Sequence, residues 1–361
     1  MKAVTAISSL ILLISGLGCG SPPPAAYVQE SEQAQIARRR GDHLAAARHY
    51  ERAATLAAKP RDAEEARYRA ADAYARAGDS ARALALYDEL AKAGPDTERR
   101  ARADFALADL LRKTGREAEG EARLQAAIRR NPDSGLARSA LSEHLDYLRD
   151  HGGSEQVLSY LDGEASELAA SELAETIAYR RARELDAAER TAEARDAYLA
   201  CAARFPYPAG AYWDDALFRA AEKELALGAP TRAIQHLERM LAEQESAVMT
   251  GSYERGRYAE AQLKIAEIRR DVLKDPQRAR RELRKVWERH RTSRLADDAL
   301  FQEALLARDA GDESGTCAPL SIIAEQLPDS RYAACAHLLC PALAATRNDC
   351  HDYIKRAAGI R

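Results

Sequence analysis

The 361-residue chain is predicted to be all-α, a solenoid of about eight helix-turn-helix units. Three observations predict it. Gly41, Gly78, Gly115 and Gly152 stand 37 residues apart, Glu189 keeps the step, and Gly228 and Gly311 mark the same place later. Around these markers the residue sizes recur: mostly small five residues on (Ala46, Ala83, Gly120, Ala194, Ala233) and bulky nine on (Tyr50, Tyr87, Leu124, Leu161, Tyr198, Leu237, Leu320). Ala, Leu, Arg and Glu dominate, all good helix formers, and no alternating β-branched run is long enough for a sheet. Units of this length cannot bury a core alone and must stack on one another.

The first segment reads as a signal for residues 1–18. Met1-Lys2 gives a short positive start, and residues 3–14 are apolar. That run falls short of the ~20 residues a membrane-spanning helix needs but suits a cleaved leader. Ser15-Gly16-Leu17-Gly18-Cys19 resembles a bacterial lipobox, with Gly16 where a branched apolar residue is usual. The resemblance implies cleavage before Cys19 and its lipidation; ordinary secretion is the alternative. Gly20 rather than Asp implies the outer membrane, facing the periplasm. Residues 19–29, with Pro22-Pro23-Pro24, read as a stiff tether. No later stretch is apolar enough to cross a membrane, so the membrane is expected to be met only through the lipid.

Residues 30–328 carry the repeats. In the second unit Ala70, Ala71 and Tyr74 share one helix face. Gly78 breaks the helix, and Ala83, Tyr87 and Leu90 form the next apolar stripe. Small residues seven before the marker (Ala34, Ala71, Ala108, Ala182, Ala221, Ala304) are expected to face small residues on the partner helix. Pro95, Pro132, Pro206 and Pro328, 17 residues after a marker, stop the second helix. The fourth unit is degenerate, with Val157 at its small position. The seventh has Lys274 at the turn, and a longer loop at Gln244 to Gly256 precedes it.

This pattern is similar to the tetratricopeptide repeat, which implies a right-handed superhelix and a protein-binding role. Asp214-Asp215-Ala216-Leu217-Phe218 recurs as Asp297-Asp298-Ala299-Leu300-Phe301, and Pro328-Asp329-Ser330-Arg331-Tyr332-Ala333 follows. These segments resemble envelope tetratricopeptide proteins of Gram-negative bacteria, among them the lipoprotein of β-barrel assembly and a coordinator of wall synthesis. The implied partners are other envelope proteins or peptides, a wall synthase or hydrolase included. Ten residues before the marker stand Tyr68, Phe105, Tyr179, Phe218 and Phe301, flanked four further on by Asp72, Asp109, Asp146, Arg183 and Glu222. In such arrays that place lines the concave surface, so these ten form the expected partner groove. Packing of the rings between neighbouring first helices is the alternative.

Residues 329–361 read as capping helices, probed by four late cysteines. Were Cys317's helix and the next antiparallel about Leu327-Pro328-Asp329, Cys317 would fall opposite Cys340, leaving Cys335 with Cys350. Cys340 with Cys350 is a rival pairing; buried thiols, or a metal with His337 and His351, are the other readings. Cys201 occupies a small core position. Positive and negative residues are interspersed at a net charge of −3, which argues against a nucleic-acid stripe. No His-Glu-x-x-His, Gly-x-Ser-x-Gly or phosphate-cradling glycine loop occurs. The expectation is a scaffold with no catalytic residues, no cofactor, no metal and no small-molecule substrate.

Overall fold

The computed structural model describes residues 22–92, 98–243, 245–247, 251–253, 256–345 and 349–359. The leader at 1–18, Cys19 and Pro95 lie outside the described residues. The chain divides into two compact units, Met1–His144 and Leu145–Arg361. Unit 1 holds α1 (Ala25–Arg39), α2 (His43–Leu56), α3 (Pro60–Arg76), α4 (Ser80–Lys92), α5 (Glu98–Lys113) and α6 (Glu117–Arg130). The unit boundary falls within α7 (Ala137–Glu167). Unit 2 continues with α8 (Ala174–Ala187), α9 (Thr191–Arg204), α10 (Trp213–Ala226), α11 (Pro230–Ala242), α12 (Tyr258–Glu267) and α13 (Pro276–Arg289). It ends with α14 (Ala296–Asp309), α15 (Glu313–Gln326), α16 (Ala336–Leu339) and α17 (Asp352–Ala357).

Each pair turns where the period places the marker. Gly41, Gly78 and Gly115 have φ of 79°, 84° and 81°, and Gly228 and Gly311 have 75° and 72°. The next residue's amide then reaches back across the turn: Asp42 N donates to Ala37 O at 3.0 Å and Asp79 N to Tyr74 O at 3.0 Å. This is the six-to-one closure that satisfies a carbonyl left over at a helix end. Where an Asp follows the marker it also caps the second helix, Asp42 and Asp312 accepting from Ala45 N at 2.9 Å and Gly315 N at 2.8 Å. Glu189 and Lys274 hold the same turn at φ of 58° and 55°, a conformation costly for a side chain.

The helices of a pair meet through small residues. Ala34, Ala71, Ala108, Ala182, Ala221 and Ala304 are no more than 1% exposed, and Ala46, Ala83, Ala194 and Ala233 are fully buried. In the third unit the small position is a glycine in close backbone contact. A Cβ on Gly120 would sit 2.9 Å from Ala108 O and 2.9 Å from Arg112 N, both backbone atoms of α5.

Four details differ from the sequence reading. The fourth turn has its positive φ at Gly153 (68°), not Gly152, and its two helices merge as the bent α7. The helical part begins at Ala25 rather than 30, because Pro24 fixes an extended φ/ψ and opens α1 just after it. Within 244–256 two short antiparallel strands, Glu245–Ala247 and Gly251–Tyr253, pair with Ser246 opposite Ser252. A serine motif also went unread. The hydroxyls of Ser134, Ser171, Ser293 and Ser330 accept from the amides two residues on, ordering the entry to the next helix.

At the C-terminus Cys317 is bonded to Cys340 and Cys335 to Cys350. Cys335, Cys340 and Cys350 are buried with Leu320, Ile323 and Ile354, so the two bonds tie the last segments over the end of α14 and α15. Cys201 is a buried free thiol, pushed up to about 12 by burial.

Candidate functional site

The aromatic rings expected to line a groove are largely covered. Phe105, Tyr179, Phe218 and Phe301 are all less than 9% exposed, and Tyr68 is half-buried. Four of the five rings are covered by a residue that the following unit supplies. Arg102 lies over Tyr68 at 4.2 Å and Arg257 over Phe218 at 4.8 Å. Tyr212 stacks on Tyr179 at 4.3 Å, and Tyr332 on Phe301 at 4.2 Å. Stacked rings and ring-bound guanidinium groups stabilise each contact by ~1 kcal/mol beyond the area they bury. Tyr179, Phe218 and Phe301 are therefore buried in the joint between successive units, while half-buried Tyr68 still lines a cavity.

Hydrogen bonds lock two of these joints. Tyr179 OH donates to Asp215, and Tyr332 OH donates to Asp298 Oδ1 at 2.5 Å, where Arg331 also binds. Burial foremost, with the carboxylate beside each hydroxyl, pushes both phenols above their ordinary range, so they stay neutral donors.

The flanking residues remain at the surface. Asp72 and Asp109 are half-buried and pair along their own helices, with Arg76 at 2.9 Å and Lys113 at 2.6 Å. Exposed Asp146 pairs with Arg149 at 2.8 Å, half-buried Glu222 with Arg219 at 3.3 Å, and Arg183 is exposed. Such pairs hold little energy, ~0.3–0.5 kcal/mol each, and are easily exchanged for a ligand's charges.

In unit 1 the first helices α1, α3 and α5 enclose a cavity of about 520 Å³. Its walls are Gln35 and Arg38 from α1, Glu65, Tyr68, Arg69 and Asp72 from α3, and Arg102 from α5, with Tyr50 behind them. Three guanidinium groups converge on one carboxylate: Glu65 receives Arg69 at 2.9 Å, Arg102 at 3.5 Å and Arg99 at 3.8 Å. Arg38 is exposed across the cavity. Below, the Tyr68 ring leans on Tyr87 at 5.5 Å, and burial pushes the Tyr87 phenol above its ordinary range. The period selected Tyr68 and Asp72 here but passed over the charges around them. Glu65 stands three residues before Tyr68 and Arg69 three before Asp72, about one helical turn, while Arg38 and Arg102 stand 34 residues from Asp72 and Tyr68, on the first helices of the neighbouring units.

The family described as tetratricopeptide repeat matches residues 65–97 and 260–293. Two of the chain's units thus match the tetratricopeptide repeat. Among curated proteins none matches the sequence. Similar solved structures include a tetratricopeptide repeat protein from Parabacteroides merdae, 13% identical over 77% of this chain and 99% of that one, with a TM-score of 0.33. The C-terminal part of a repeat-containing protein from Cytophaga hutchinsonii is 13% identical over 74% and 98%, at a TM-score of 0.40. Pseudomonas aeruginosa pilF is 16% identical over 68% and 95%, at a TM-score of 0.37. The fold itself stands on the chain's own helix pairs and positive-φ turns.

Proposed function

We propose that this chain is a non-catalytic scaffold that binds other proteins in a bacterial cell envelope, held to the outer membrane by lipid on Cys19 and facing the periplasm. One observation carries the binding role: tetratricopeptide-type helix pairs whose first helices enclose an open, charged cavity in unit 1. The repeat fold is a protein-interaction scaffold, and its side chains here are arranged to hold helices together and to present charges outward. The envelope is supported by two further features. Cys317–Cys340 and Cys335–Cys350 are bonds that persist in oxidising compartments. The Ser15–Cys19 segment resembles a lipobox.

In-cell crosslinking with mass spectrometry, on tagged protein beside a Cys19→Ala variant, tests this reading. The expected result is recovery of envelope proteins with the wild type and their loss, with release from the membrane fraction, in the variant. Recovery of cytoplasmic proteins indifferent to Cys19 would overturn the location. Turnover of a wall or peptide substrate by the purified chain alone would overturn the scaffold.

A further inference from the structure

The unit 1 cavity has a definite charge preference. Three guanidinium groups line it, from Arg38, Arg69 and Arg102, against two carboxylates, Glu65 and Asp72, which are also paired from outside the lining by Arg99 and Arg76. Glu65 alone draws in Arg69, Arg99 and Arg102. The group is only one-quarter exposed, so it occupies the spot from which those guanidinium groups can be reached. Arg102 is held in place by its position over Tyr68 and by its contact with Glu65. Arg38 has no carboxylate in ion-pair range among the described residues, and with Gln35 it forms the opposite wall. A carboxylate entering beside Arg38 would gain its fork and the Gln35 amide, and would share Arg102 with Glu65.

We propose that this cavity binds an acidic segment of the partner protein, Asp or Glu side chains entering between Arg38 and Arg102. The inference rests on the scaffold reading and names the chemistry of its partner. A nucleic-acid strand fits the cavity less well. Glu65 and Asp72 stand among the lining residues and would repel a phosphate backbone, and of the two lining rings Tyr50 is buried and Tyr68 already carries Arg102 on its face, leaving no platform for a base. The whole chain is also net negative at −3, so the positive field is local to this cavity.

The test is fluorescence anisotropy with the full chain and three labelled octapeptides of alternating glycine with Glu, Gln or Lys, beside an oligo-dT probe. The Glu peptide is expected to bind, with affinity falling as salt rises, and the Gln and Lys peptides are not. Arg38→Gln, at an exposed position that folding does not need, is expected to weaken binding about five- to tenfold. Glu65→Gln removes the resident carboxylate and is expected to tighten binding several-fold, an effect a merely structural role would not produce. Equal binding of Glu and Gln peptides would overturn the charge preference while leaving a peptide groove standing. No peptide binding, indifference to both substitutions, or tighter binding of oligo-dT would each overturn the proposal. In those cases the in-cell crosslinking still decides the scaffold reading separately.

Discussion

The close approach of α5 and α6 can be tested with one substitution made at two places. Gly120 lies in α6 and Gly163 in α7, and both backbones are helical. Replacing a helical glycine by alanine ordinarily stabilises by ~0.5–1 kcal/mol through the unfolded chain's entropy. At Gly163 nothing lies within 4 Å of the new Cβ, so that gain should appear undiminished. At Gly120 the Cβ would meet Ala108 O and Arg112 N at 2.9 Å and Arg112 Cγ at 2.5 Å. Two of these are backbone atoms of a packed helix that can give only by shifting α5. Overpacking of this kind costs ~1–3 kcal/mol against a helical gain of ~0.5–1 kcal/mol, a net loss centred on ~1 kcal/mol. Urea and thermal unfolding by circular dichroism should therefore show Gly163→Ala raising the midpoint and Gly120→Ala lowering it, by ~2–4 °C in the latter case. Equal gains in the two variants would refute the claim that these helices touch through their backbones.

Other outcomes follow from single sites. Asp104 is fully buried and receives Arg123 Nε at 2.8 Å and Asn131 Nδ2 at 3.1 Å, besides Arg130. Asp104→Ala should cost ~3 kcal/mol and Asp104→Asn visibly less, read by urea unfolding. Cys201, with its thiol pushed up to about 12, should resist iodoacetamide at pH 8 in the folded chain and react once denatured. Reducing Cys317–Cys340 and Cys335–Cys350 should speed amide exchange in α15 to α17 while the exchange of α1 to α6 stays unchanged. Burial, opposed by Glu224 and aided by Arg239 and Arg232, pushes His236 below its ordinary 6.5. The unfolded chain then takes the proton first, so stability is full above pH 6.5 and declines as pH falls below it. His236→Gln should flatten that decline between pH 7.5 and 5.5, and an unchanged slope would contradict the burial argument.

What was legible in the sequence were features that one unit can display alone. Gly41, Gly78, Gly115, Gly228 and Gly311 announce left-handed turns because glycine adopts them without a Cβ clash, and the 37-residue step extended the expectation to Glu189. Alanines seven before and five after the marker announce close helix contact for the same local reason. The fate of the aromatic rings was not legible. Tyr68, Tyr179, Phe218 and Phe301 recur in step, but the groups that cover them, Arg102, Tyr212, Arg257 and Tyr332, follow at varying separations and are of two chemical kinds. A period reports which positions recur and is silent on what the next unit places over them. At the fourth turn Gly152 and Gly153 are adjacent and either can take a positive φ, so the period does not choose between them. The cavity charges went unread because Arg38, Glu65 and Arg102 belong to three units and meet only once α1, α3 and α5 are side by side.

The most direct measurement places a photo-crosslinking amino acid at Gln35, inside the unit 1 cavity, and separately at Ala85, exposed on α4, in cells producing the full chain. The account predicts a discrete crosslinked species at Gln35, containing a second protein captured through an acidic segment, and none at Ala85. Crosslinks at Ala85 without any at Gln35 would contradict it, and would move the binding surface to the other face of the repeats.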